Sequence, residues 1–400
     1  MRSFRYAFIS AAALARIAAG QQVVSRADAV DAALRRGARL SLASADTAVA
    51  FANLLVAQER QNPVVSGSYS KSAPQYHLSA ELPVDLPGVR GLRIESAKAA
   101  QRAAAYRFRF ARAQIALDAD TTYTRVQAAS AHAALSRKNA ASADTLLAMA
   151  IARRNAGDAA ELDVQLATLY AGQQRNLEVA DSLELLLALE NLRTVMGLSA
   201  EAGSIVIADS LGFQSSDSAF SFSGIPLSVA AAQQELNAAE LSTRVEKRSV
   251  FGAPSLMAGI ETHDPSGSEP GILPTFGISI PIPLLNRNRG AIALAEASRV
   301  RASAELAVTR LETDAQVARA TRERKAFAER VARDRLLLES ANRVAAMSLT
   351  AYRAGAAALP NVFEAQRNAR DVLAQYIDDV AAARIADSVL RLMILSTGSP

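Results

Sequence analysis

Glycine and proline are missing from two long stretches of this chain, Leu92 to Ala156 and Ala291 to Ala354. Each is entered through a glycine, Gly91 or Gly290, that follows a proline-bearing segment, and each stops at another, Gly157 or Gly355. Glycine and proline are the strongest helix breakers, so their absence permits helices of unusual length. At a rise of ~1.5 Å per residue each stretch reaches ~95 Å, far beyond what a compact domain needs. The pattern occurs twice, which reads as tandem duplication of an elongated unit. Such a shape suits a conduit or a strut before it suits an enzyme.

The halves repeat the same order of elements. The first repeat, residues 25–225, opens with a helix from Ser25, a candidate N-cap, to Gln61. A strand pair over 64–85 follows, then the long helix 92–156, a return helix 159–196 and a Ser-rich polar connector from Gly197 to Gly224. The second, residues 226–396, has a helix over Leu227 to Val250 and a strand pair over 255–283. It ends with the long helix 291–354 and a return helix 360–395. The distal ends match as well, with Ala167 and Ala365 each ten residues past the turn glycine. Residues 1–20 read as an export signal: Arg2 and Arg5 precede the apolar stretch Tyr6 to Ala15, with small residues for cleavage after Ala15 or Gly20. An ordinary amphipathic first helix is the alternative.

Half of the residues are apolar, alanine is abundant, and small side chains let helices approach closely. No run of ~18 uncharged apolar residues occurs, which argues against a transmembrane helix. The chain has no cysteine, which leans toward an oxidising compartment and rules out a lipid anchor attached through one. The net charge of +5 is spread over interleaved acids and bases, as in Arg322-Glu323-Arg324-Lys325. That is a solvated helix face, and nucleic acid is not an expected partner.

The strand segments alternate with period two. Val65, Gly67 and Tyr69 oppose Ser66, Ser68 and Ser70, and Tyr76, Leu78, Ala80, Leu82 and Val84 oppose His77, Ser79, Glu81, Pro83 and Asp85. Leu256, Ala258, Ile260 and Thr262 alternate with polar or small residues through His263. Phe276, Ile278, Ile280 and Ile282 alternate with Thr275, Gly277, Ser279, Pro281 and Pro283. One apolar and one polar face fit a barrel that is greasy toward lipid and polar toward its lumen. Four strands cannot close a barrel, and bare edges are forbidden in hydrocarbon, so several chains must share one cylinder. Two water-exposed hairpins capping a coiled coil remain the bland alternative.

Helix, strand pair, long helix, glycine turn and return helix, given twice, resembles the TolC family of outer-membrane efflux proteins. The segment Gly277-Ile278-Ser279-Ile280-Pro281-Ile282-Pro283-Leu284-Leu285-Asn286-Arg287-Asn288-Arg289-Gly290 is similar to the signature of heavy-metal efflux members of the CzcC type. The resemblance implies a mainly α fold with a small β part: a long coiled-coil helical barrel plus four transmembrane strands per chain, closing as a twelve-stranded barrel in a homotrimer. It implies a passive duct of a tripartite system, with a periplasmic adaptor (membrane fusion protein) and an inner-membrane pump docking at the tips. Those tips carry Arg153, Gly157, Arg353 and Gly355. The tunnel constriction falls on Asp163, Asn361 and Glu364. Asn361 stands where the family's pattern has an aspartate, and Ala357 where it has a basic residue. The outer membrane and its lipid are the implied surroundings. The alternative is a periplasmic coiled-coil adaptor or scaffold that never enters a membrane.

No HExxH, P-loop, GxGxxG or GxSxG motif is present. His77, His132 and His263 are far apart and in no metal-ligand spacing. No catalytic residue, cofactor site or bound metal is expected, even if metal is the cargo.

Overall fold

The computed structural model describes residues 22–199, 204–212, 224–263, 265–267 and 271–398. The export signal lies outside the described residues, as does part of the expected connector. The elements in order are β1 (Gln22–Val24), α1 (Arg26–Arg36), α2 (Ala38–Gln58), β2 (Val64–Tyr69), β3 (Tyr76–Pro83), α3 (Val89–Asn155) and α4 (Glu161–Val195). Then come β4 (Ile205–Ile207), α5 (Leu227–Arg248), β5 (Ser255–Thr262), β6 (Ile272–Ser279), α6 (Arg289–Arg353) and α7 (Leu359–Met393). The two glycine-poor stretches are single helices, α3 of 67 residues and α6 of 65.

The chain divides into two compact units, and each draws on both halves of the sequence. The first comprises residues 1–38, 115–218 and 320–389. Its largest core packs Val24, Ala29, Tyr123, Val126, Leu192, Met196 and Ile205. The second comprises residues 39–114, 219–319 and 390–400 and holds the four long strands.

The continuous first helix expected from Ser25 to Gln61 is two helices. Ser25 caps α1: its hydroxyl accepts from the Asp28 N–H at 3.2 Å, and the Asp28 carboxylate accepts from the Ser25 N–H at 3.1 Å. The Ser25 hydroxyl, 2.6 Å from Asp28 Oδ2, and then the Ser25 N–H hold the Asp28 carboxyl below its ordinary range. The helix ends at Gly37, whose backbone is extended. There a Cβ would lie 2.4 Å from the Ala33 carbonyl oxygen, so the break suits glycine and no larger residue. Beyond it, α2 is the one helix among the described residues long and apolar enough to cross a membrane. Arg39 and Asp46 lie within it, so it holds no uncharged run of that length.

The strand β1 and its partner β4 were not expected. They pair in parallel, Gln22 with Ile205 through Val24 with Ile207, and convert part of the presumed polar connector into structure. Three-residue strands carry too little periodicity to be seen in a sequence.

In the second unit β2, β3, β5 and β6 form one antiparallel sheet in that order. The register brings the apolar rows together: Val65 opposes Ala80, Leu78 opposes Ile260, Leu82 opposes Leu256, and Leu256 opposes Ile278. Directly paired residues share a face, so a single apolar surface runs across all four strands. Its members are exposed within the chain, Phe276 at 84% and Ile278 at 69%. The opposite face carries Ser66, Ser79, Gly259 and Thr275 in one row, and His77 beside Glu261 at 3.2 Å. Two details differ from expectation. Strand β6 stops at Ser279, before Pro281 and Pro283, which lack the N–H a ladder needs. His263 is a turn residue with φ 71°, its ring 5.6 Å from that of Tyr76, and does not continue the polar row.

Candidate functional site

The tip residues all lie in the first unit. Helix α3 ends on Gly157, which takes a left-handed φ of 81°. The Gly157 N–H donates to the Arg154 carbonyl at 3.0 Å, and the Asp158 N–H donates to the Arg153 carbonyl at 2.9 Å. At α6 the same closure recurs: Gly355 has φ 77°, its N–H donates to Tyr352, and the Ala356 N–H donates to Ala351 at 2.8 Å. This pair of bonds satisfies the orphan carbonyls of a helix end, and a residue with a Cβ pays strain at the left-handed position.

Beneath both turns lies one apolar cluster. Leu146, Ala150, Val164, Ala167, Tyr352, Leu359 and Val362 are buried in it, and Tyr170 and Phe363 stack against it with ring centroids 4.4 Å apart. Ala167 and Ala365, the matched alanines of the two repeats, are both buried. Small residues there let the return helices pack closely.

Arg153, four residues before Gly157, and Arg353, two before Gly355, differ in surroundings. Nη1 of Arg153 donates to the Tyr352 carbonyl at 3.0 Å, and the guanidinium lies 4.9 Å from the Tyr352 ring centroid. A cation at the carboxyl end of α6 is favourably placed against the helix dipole, and the ring face adds a cation–π contact. Arg353 is exposed. The structure therefore joins Arg153 to the second turn and leaves Arg353 facing solvent. Tyr352 was missed in the sequence. Its signal was an aromatic residue at the end of a long helix, three positions before the turn glycine.

Of the constriction candidates, Asp163 is half-buried, and Asn361 and Glu364 are exposed. Among the described residues their side chains form no hydrogen bond or ion pair with one another. Glu364 lines an open groove of about 870 Å³ with Tyr170, Gln174, Phe363, Arg367 and Arg370. Arg370 is engaged there, with Gln174 at 3.2 Å and Asp371 at 2.8 Å. Among the described residues no group of three or more His, Cys, Asp or Glu side chains could hold a metal ion.

Paired helical hairpins closed by glycine turns, and a sheet with one continuous apolar face, define a channel-type envelope protein. The chain belongs to the outer membrane efflux protein family, whose profile matches residues 29–198 and 227–394, one stretch in each half. These are the TolC-type channels, and membership places the chain in the outer membrane. It is 28% identical over 254 residues to the nickel-cobalt-cadmium resistance protein NccC of Alcaligenes xylosoxydans xylosoxydans. That alignment takes in 62% of this chain and 56% of NccC, so little more than half of the relative's length is matched. In fold the chain is similar to CusC, at 17% identity and a TM-score of 0.77, over 93% of this chain and 92% of that one. It is also similar to the Campylobacter jejuni CmeC outer membrane channel, at 15% identity and a TM-score of 0.79, over 94% and 87%.

Proposed function

We propose that the chain is the outer-membrane duct of a tripartite efflux system, acting as a homotrimer and performing no chemical step of its own. The observation that carries this reading is the sheet. Its apolar residues share one face, and its outer strands β2 and β6 have no partner within the chain among the described residues. Unpaired backbone groups cost several kcal/mol each in hydrocarbon, on the order of the figures for buried polar groups generally. Strand β6 of one copy pairing with β2 of the next removes both edges, and three copies close a twelve-stranded barrel. The test is migration of outer-membrane extracts with and without boiling. A heat-dissociable trimer is expected, and recovery wholly in the soluble periplasmic fraction would favour the adaptor reading instead.

The turns at Gly157 and Gly355 are the docking ends for a periplasmic adaptor and an inner-membrane pump in this reading. Arg153 is the better candidate for holding the two turns together, through Tyr352. The likeness to NccC favours divalent metal cations as cargo, supported by the signature from Gly277 to Gly290.

Asp163, Asn361 and Glu364 are proposed as the narrow part of the tunnel. In a trimer Glu364 would recur as a ring of three carboxylates, which attracts cations and repels anions. Glu364→Gln is expected to lower the cation-to-anion permeability ratio severalfold in bilayer recordings. An unchanged reversal potential under a salt gradient would remove Glu364 from the pore lining.

A further inference from the structure

Asp379 of α7 is 3% exposed. Its Oδ1 lies 2.8 Å from Nη2 of Arg330 on α6, while its Oδ2 is buried without a hydrogen-bond partner. Oδ2 of Asp334, one turn along α6 from Arg330, is also buried without a partner. The two aspartates meet side chain to side chain. Acceptor therefore faces acceptor, with no donor between them. On the same two helices Val331, Val380 and Ala383 form a buried apolar cluster, and Phe327 and Leu211 pack on it.

Arg330 balances one negative charge. A second ionised carboxylate here would hold its covered Oδ2 with no donor against it, which is unfavourable. We propose that Asp334 and Asp379 form a proton-binding site, in which a single proton shared between the two carboxyls joins α6 to α7. One proton gives both orphan oxygens a partner and leaves the trio with Arg330 neutral. No atom of a neighbouring molecule can replace it at Asp379, because the chain itself covers that residue.

The charged surroundings agree. Helix α6 presents Arg330 and Arg333, and α7 presents Asp379 and the Tyr376 hydroxyl, which accepts from Arg335 at 3.4 Å. The adjacent Asp378 is occupied by His132 of α3 at 2.8 Å, and Asp387 by Arg324 at 3.1 Å. The segment 204–212 brings Leu211 to the cluster, its Asp209 being held by Tyr123. Burial, then the bond to Asp379, holds the Asp334 carboxyl above its ordinary range, with Arg330 and Arg333 pulling the other way. A carboxyl raised in the folded state stabilises the fold fully below its unfolded pKa. That stabilisation is lost as pH rises through the folded value. The contact between α6 and α7 therefore tightens in acid and loosens in base.

Infrared spectroscopy of the purified full chain tests the site. At pH values just above the ordinary carboxylate range, the carbonyl band of a protonated carboxylic acid is expected in the wild type. It should be absent in Asp334→Asn and in Asp379→Asn. The melting temperature of the wild type should fall by several degrees as rising pH removes that band. In Asp334→Asn, whose amide donates to Asp379 as the proton does, the pair's share of this fall should vanish. A wild type without the band, or a band unchanged in both variants, overturns the proposal. So does a missing band together with melting raised by added calcium, which would assign a cation to the pair.

Discussion

Gly259→Val is expected to abolish the heat-dissociable trimer, while Gly277→Ala leaves it in place. Gly259 sits on β5 between two paired neighbours, opposite Ser79 on β3 and Thr275 on β6. A Cβ there would lie 2.7 Å from Thr275 Oγ1, 2.8 Å from the Leu78 carbonyl oxygen and 3.2 Å from Ser79 Cβ. The carbonyl belongs to the ladder and cannot move without breaking it. Overpacking of this kind costs ~1–3 kcal/mol per site, and the proposed barrel repeats the site three times. At Gly277 the nearest atom to a built Cβ is Met257 Cβ at 3.7 Å, an ordinary contact. Gel migration of unboiled outer-membrane fractions reads the difference. Wild-type amounts of trimer from Gly259→Val would show that the strands do not pair as described.

Arg26→Ala is expected to destabilise the first unit by ~3 kcal/mol, the scale for removing one partner of a largely buried ion pair. Arg26 Nη1 lies 2.5 Å from Asp120 Oδ1 and 2.9 Å from Thr124 Oγ1, and Nη2 donates to Gln127 Oε1 at 2.6 Å. The guanidinium also stands 5.0 Å from the Tyr123 ring centroid. Tyr123 in turn donates toward the Val24 carbonyl and the Asp209 carboxylate, each at 3.0 Å, and burial pushes its hydroxyl pKa up so that it stays a donor. The network binds the start of α1, the middle of α3 and the β4 segment. Its loss should appear as a lower melting temperature and faster proteolysis near residues 204–212. Arg26→Lys should recover only part of the stability, because an ammonium cannot reach Asp120 and Gln127 as a fork does.

How much could be read in advance differs by element. The glycine-poor stretches became α3 and α6, and the period-two rows became strands whose apolar residues share a face. Both are local signals, fixed by backbone sterics and side-chain alternation over consecutive residues. The break at Gly37 was passed over because a lone glycine within a helical pattern is often tolerated. The β1–β4 ladder was missed because its parallel pairing joins two short segments far apart in the chain. At the turns, the glycines were visible from their matching positions in the two repeats, whereas Tyr352 carried no motif.

Helix length, strand alternation and the doubling of the unit followed from the order of residues, since each depends on neighbours a few positions away. The roles of the two tip arginines came only with folding: Arg153 grips the carbonyl of Tyr352, while Arg353 is exposed. Nor could any pattern announce that Asp334 and Asp379 would meet beside Arg330. Such pairings join residues remote in the chain, and only the packing of one helix on another brings their charges within reach.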